Sequence, residues 1–272
     1  MTIEASLVPP VTERPSLFAR VSGAVADTQV VMWRNLLGYV RIPEAAFFSS
    51  VQPVMFVLLF RYVFAGAIPV PHGSYTNYLI PGIFVQTVAF GAVQTSIGLA
   101  QDLHTGLIER FRALPMSRSA VLAGRTLADL VRNVVVAIII TGVGFAVGFR
   151  LQTNVLAFIG GIGVLLLFAY ALSWGFALIG LSAPNAETAQ VMSFPVLFPL
   201  TFASSAFVPV STMPSWLRPF ANNQPVSIVV DAVRALLDGG PTEQLLIKAV
   251  IWSVGILVVL APFSVRRYRR AT

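Results

Sequence analysis

The stretch VLAFIGGIGVLLLFAYALSWGFALIGL, residues 155–181, decides the fold. It holds no charged side chain and exceeds the roughly 20 apolar residues that a helix needs to cross a bilayer. Working outward, five more windows read the same way: 45–65, 78–100, 120–149, 191–208 and 246–265. Of the 272 residues 56% are hydrophobic and 11% charged, against about 25% charged in soluble domains. A water-soluble reading is excluded, and the expected class is an all-α integral membrane protein with six transmembrane helices.

Orientation follows from the basic residues, which collect on the cytosolic side of short loops. Starting inside, that side receives 13 of the 18 Lys and Arg residues: Arg14, Arg20, Arg34, Arg41, Arg110, Arg112, Arg118, Arg125, Arg132, Arg266, Arg267, Arg269 and Arg270. Arg61, Arg150, Arg218, Arg234 and Lys248 fall at or near the outer side. Both termini are therefore expected in the cytosol, which agrees with an even number of spans. The net charge of +7 reads as topology, since the basic residues sit at the ends of apolar segments and not on one polar surface. No nucleic-acid partner is expected. The first residues, with Glu4, Pro9, Pro10, Glu13 and Pro15, do not form a cleavable signal peptide.

Two amphipathic segments flank the spans. Between Phe18 and Val40, Val21, Val25, Met32, Leu36 and Val40 share one face while Asp27, Arg34 and Arg41 line the other. That pattern suits a helix lying in the cytosolic interface, with Trp33 and Tyr39 at headgroup depth. Past Pro209, Pro214, Trp216 and Pro219, Pro225 starts a helix with Val226, Val229, Val233, Leu236 and Leu237 on one side and Asp231 and Arg234 opposite. It is too short to span, and is expected on the outer surface with the preceding residues re-entrant. The expected division is a disordered cytosolic tail (1–16), an interfacial helix (17–44), a six-span domain (45–265) and a basic cytosolic tail (266–272).

The chemistry that is missing narrows the function. The chain has no cysteine and two histidines, His72 and His104, which excludes disulfides and a multi-histidine metal centre. A phosphate-cradling Walker loop needs Gly-rich sequence before Lys-Ser or Lys-Thr, and the single lysine, Lys248, sits in Leu-Ile-Lys-Ala. ATP is therefore not expected to bind here. The acidic residues read as loop or span-end residues, Asp102, Asp129 and Glu187 among them, so no intramembrane ion relay is visible. Polar residues inside the spans include Gln52, Gln86, Gln94, Tyr170 and Trp174; they either bond between helices or line a substrate path. In the polar segment 101–132, residues 102–114 are readable as a short helix stopped by Pro115, and Arg125 and Asp129 as an i, i+4 pair.

The run Gly106-Leu-Ile-Glu-Arg-Phe-Arg-Ala-Leu-Pro-Met-Ser-Arg-Ser-Ala-Val-Leu-Ala-Gly-Arg125, followed by Asp129 and Arg132, resembles the loop of ABC-type exporter permeases of the second type, in particular their daunorubicin-resistance branch. Leu59-Phe-Arg-Tyr-Val-Phe-Ala-Gly-Ala-Ile68, Tyr78-Leu-Ile-Pro-Gly-Ile83 and Phe207-Val-Pro-Val-Ser-Thr-Met-Pro-Ser-Trp-Leu217 follow the same pattern in the same order. The resemblance implies a permease paired with a second permease subunit, identical or not. Two cytosolic ATPase subunits, which bind ATP and Mg, would drive export of a hydrophobic drug or lipid. It further implies that the ATPase meets Arg34 on the interfacial helix and Asp102, His104, Gly106, Leu107, Glu109, Arg110, Phe111 and Arg112 in the loop. An ATP-independent secondary transporter or channel and a membrane scaffold are the alternatives.

Overall fold

The computed structural model describes residues 17–41, 43–70, 73–107 and 118–270, and the regular structure among them is entirely helical. The helices are α1 (Leu17–Arg41), α2 (Pro43–Leu59), α3 (Tyr75–His104), α4 (Arg118–Ala146), α5 (Val155–Gly180), α6 (Ala186–Phe202), α7 (Arg218–Asn223), α8 (Pro225–Asp238) and α9 (Glu243–Arg270). A π-helical turn, Phe60–Phe64, continues α2. Local chemistry sets the ends. The side chains of Ser74, Asn154 and Asn185 accept backbone N–H groups of Asn77, Ala157 and Thr188, capping α3, α5 and α6. Gln224 caps α8, whose first residue is Pro225, and Gly239 ends it at φ 86°.

Four helical segments are long and apolar enough to cross a membrane: Tyr75–His104, Ala120–Ala146, Val155–Gly180 and Glu243–Arg270. Helices α2 and α6 have 17 residues each, about 25 Å at 1.5 Å per residue. The fifth apolar window of the sequence reading, 191–208, forms its helix five to six residues earlier, at Ala186–Phe202. Asn185 supplies its cap, and the chain leaves the helix at Ala203, just past the second internal proline, Pro199.

Helix α3 is central, packing on α4, α5, α6 and α8. Between spans, lipid is as apolar as leucine, so association rests on close contact and hydrogen bonds. Both are visible. A Cβ on Gly180 would collide with the backbone of Ser96, so glycine is what lets α5 approach α3. Ser264 Oγ donates to the Trp174 carbonyl at 2.8 Å, tying α9 to α5.

The two amphipathic segments fare differently. Helix α1 forms, and its apolar Val25 and Val40 are left uncovered by protein at 52% and 75% exposed, while Val31 packs at 1% exposed. Thr28 and Val31 meet Gly124 of α4, and Arg34 reaches Asp102 of α3 at 3.6 Å with 35% of its side chain still exposed. Helix α8 does not lie on a surface. Val226, Val229, Val230, Ala232, Val233, Ala235 and Leu237 are all buried, because α3, α5 and α9 surround it. Its Arg234 faces protein partners, and Asp231, bonded to Ser205 and paired with Arg234, keeps 38% of its side chain exposed.

Candidate functional site

One end of the bundle carries a charged seam between α3 and α4. Arg125, Asp129 and Arg132 fall at i, i+4 and i+7 on α4, so they form one stripe. Gly98, Thr95 and Gly91 form the matching stripe on α3. The register is antiparallel. The Arg125 guanidinium lies where a Cβ on Gly98 would stand, and Arg132 lies against Gly91, whose carbonyl accepts from Arg132 Nη2 at 2.9 Å. Between them the Thr95 hydroxyl donates to Asp129, which is 2% exposed.

The seam recruits α1. Tyr39 Oη donates to Asp129 at 3.0 Å and accepts from Arg132 Nη1 at 3.1 Å. Arg132 pairs with Asp129 at 3.5 Å. Burial raises the Tyr39 phenol above its ordinary pKa, and the neighbouring Asp129 charge adds to the rise. Asp102, in the last turn of α3, holds Arg125 at 2.6 Å and Arg34 at 3.6 Å. The expected Arg125–Asp129 pair is therefore not formed. Each partner has a closer opposite charge on another turn or helix. Asp129 also belongs to a span-length segment, 120–146, and not to a loop.

Of the residues assigned to ATPase contact, Arg34 and Asp102 come together, and both use their charge inside the chain. Asp102 and His104 belong to α3 and not to a separate helix. His104 is exposed, and Gly106 turns the chain at φ 69° into Leu107. Glu109, Arg110, Phe111 and Arg112 lie outside the described residues, as does His72.

Beside the seam is a cavity of about 210 Å³ between α2, α3, α4 and α6. Three of the five candidate path residues line it: Gln52, Gln86 and Gln94, together with Asn133, Arg132 and Gln190. Phe56, Phe90 and Phe194 supply its apolar walls. Gln86 is 2% exposed, and its Oε1 has no hydrogen-bond partner among the described residues. Tyr170 and Trp174 are not at this cavity. They meet edge to face at 6.2 Å within a cluster that includes Leu99, Leu122 and Tyr268. Gln190 and the three phenylalanines escaped the sequence reading, yet a signal was available: Gln52/Phe56, Gln86/Phe90 and Gln190/Phe194 repeat Gln-x-x-x-Phe on three helices.

At the other end, α8 meets the start of α3 and the segment after α6. Arg234 donates to the carbonyls of Tyr78 and Ser205, pairs with Asp231 at 2.7 Å and stacks 3.8 Å over the Tyr78 ring. A second cavity of about 620 Å³ opens beside it, lined by Asn77, Arg150, Asp231 and Asp238. Burial raises both carboxyls, Asp238 to about 6, against the opposing pull of Arg234.

Long apolar helices joined by buried polar seams define a multi-pass protein of the cell membrane. The ABC-2 type transporter family matches residues 26–237. The chain is 35% identical over 259 residues to the daunorubicin resistance ABC transporter permease protein DrrB1 of Streptomyces coeruleorubidus, covering 94% of this chain and 89% of that one. It is 28% identical over 250 residues to the "Probable doxorubicin resistance ABC transporter permease protein DrrC" of Mycobacterium tuberculosis (strain ATCC 25618 / H37Rv), covering 91% and 90%. The doxorubicin resistance ABC transporter permease protein DrrB of the same strain is 26% identical over 224 residues, covering 77% of each chain. The chain belongs to the ABC-2 type transporter family.

Proposed function

We propose that this chain is the membrane-spanning permease subunit of an ATP-driven exporter that moves a hydrophobic drug or lipid out of the cytosol or inner leaflet. The observation that carries the reading is the amide- and phenylalanine-lined cavity wedged between α2, α3 and α6, with drug-resistance permeases as relatives. Six spans follow if the shorter α2 and α6 also cross, with both termini in the cytosol. Their outward residues support this, since Met55, Val196 and Phe198 are exposed and apolar and suit either lipid or a second permease subunit.

Two cytosolic ATPase subunits, which bind ATP and Mg, complete the pump. Their closure would act on the end of α3 and on α1, which Asp102 holds together through Arg34 and Arg125. A ligand shifts a two-state protein only by its differential affinity for the two states, so this connection must transmit force. An ATP-independent ion-coupled carrier is less well supported. Asp129, the carboxylate within a span, is engaged by Arg132, Tyr39 and Thr95.

Purification of the chain from its native membrane tests the assembly: an ATPase with a Walker loop is expected to co-purify. Phe111→Ala is expected to loosen it about thirtyfold, since truncating an aromatic anchor costs about 2 kcal/mol. A chain that purifies with no ATPase would contradict the proposal.

A further inference from the structure

Helix α9 carries an uncovered face whose length matches a bilayer. Of the four span-length segments it is the one that the rest of the chain covers least. Ile251, Trp252, Val258, Val259 and Phe263 stand exposed on it, and basic residues close the face at both ends. Lys248 and Arg266, both exposed, are 18 residues apart, which is a whole number of helical turns, so they point the same way. At 1.5 Å per residue they stand about 27 Å apart, close to the roughly 30 Å of a hydrocarbon core.

The two ends differ in charge. Lys248 has Glu243 near it on the same helix, whereas Arg266, Arg267, Arg269 and Arg270 crowd the last turns and α9 holds no carboxylate after Glu243. All four are exposed, and among the described residues Arg266, Arg267 and Arg269 form no ion pair. The helix cannot roll them inward. Tyr268, in their midst, is buried in the cluster with Leu99 and Leu122, and one turn earlier Ser264 is bonded to the Trp174 carbonyl. Guanidinium groups donate in a fork to phosphate oxygens. Here they continue directly from Val259 and Phe263, along which acyl chains can lie. We propose that Arg266, Arg267 and Arg269 form a binding site for an anionic phospholipid of the inner leaflet. The placement in that leaflet rests on the cytosolic C-terminus of the reading above.

Spin-labelled phosphatidylglycerol and phosphatidylcholine test it, compared by electron spin resonance in phosphatidylcholine vesicles that hold the chain with its ATPase. The motionally restricted fraction of each probe gives their relative affinity for the protein surface. The unaltered complex is expected to favour phosphatidylglycerol about fivefold or more, the factor that one basic side chain near an anionic surface supplies. Arg266→Gln, Arg267→Gln and Arg269→Gln combined are expected to bring the ratio close to one without loss of the ATPase. Arg266→Gln alone is expected to lower it measurably, which keeps the test open should the triple variant fail to fold. Lys248→Gln, on the same face at the other end, is expected to leave the ratio unchanged. A ratio near one in the unaltered complex would overturn the proposal, as would an undiminished ratio in the triple variant or an equal fall in Lys248→Gln. Displacement of phosphatidylglycerol by soluble glycerol phosphate would make this a phosphate site and not a lipid site, and loss of the ATPase from the triple variant would assign the arginines to that subunit; either overturns the proposal. A chain that purifies without an ATPase rejects the exporter reading, and the ratio is then read on the chain alone. A cysteine at Thr272 that labels from outside rejects the inner-leaflet placement separately from the ratio.

Discussion

Asp129 shows how a single buried carboxylate orders three helices. It accepts from Thr95 of α3 and Tyr39 of α1 and neutralises Arg132 of its own helix. Removing one member of a buried pair leaves an uncompensated charge, which costs about 3–5 kcal/mol. Asp129→Ala is expected to destabilise the chain by about 3 kcal/mol, whereas Asp129→Leu combined with Arg132→Met should recover most of that loss. Thermal unfolding of the unaltered chain, Asp129→Leu, Arg132→Met and the double variant in one detergent checks this, and a double-variant loss equal to the sum of the two single losses would mean that the pair is not coupled. Asp238 gives a pH dependence of the opposite sense to most carboxylates. Its folded value of about 6 lies above the ordinary 3.8, so the folded chain binds a proton that the unfolded chain has released. Its contribution to stability is therefore present at low pH and is lost as pH rises from about 4 to 6. Asp238→Asn is expected to flatten the fall in melting temperature across that window and to raise it at pH 7. The apolar windows were legible residue by residue, but these partners were not. Arg125 and Asp129 are four apart and looked like a local pair, and only the fold brings Asp102 within 2.6 Å of Arg125.

At the scale of elements, periodicity identified which segments are helical but not always which face is packed. In α1 the apolar stripe containing Val25 and Val40 stays exposed, while Thr28, Val31 and Arg34 meet the bundle. An apolar face can be covered by lipid as well as by protein, so amphipathicity alone does not choose between them. In α8 the packed face is wider than periodicity suggests. A hydrogen-bonded, internally paired Asp231 and Arg234 read from sequence as a solvent face. Val229 and Val233 are 0% exposed, and an aspartate at either is expected to cost about 3 kcal/mol or more through an unpaired buried charge. Ala235→Ser should be mild, since Ala235 borders the 620 Å³ cavity. Thermal unfolding compares the three, and equal tolerance would mean that α8 is not anchored as described. The lining of the 210 Å³ cavity was half legible. Glutamines inside spans stood out, whereas Tyr170 and Trp174 gave the same polar signal and lie away from this cavity, in the cluster with Leu99 and Leu122.

The whole molecule joins a charged seam that engages α1 to a cavity that shares Arg132 with it. In the exporter proposed above, that shared residue would link the ATPase-facing end of α1 and α3 to the cavity. The six-span topology can be checked with single cysteines in this cysteine-free chain. Labels at Ser117 and Thr272 are expected from the cytosolic side only, and labels at Ser74 and Ser211 from outside only. The most direct measurement of the central claim is transport into inside-out vesicles that contain the chain with its co-purified ATPase. Uptake of a hydrophobic probe is expected with ATP and Mg, and is expected to stop with a non-hydrolysable ATP analogue. Uptake at the same rate without ATP would contradict the account.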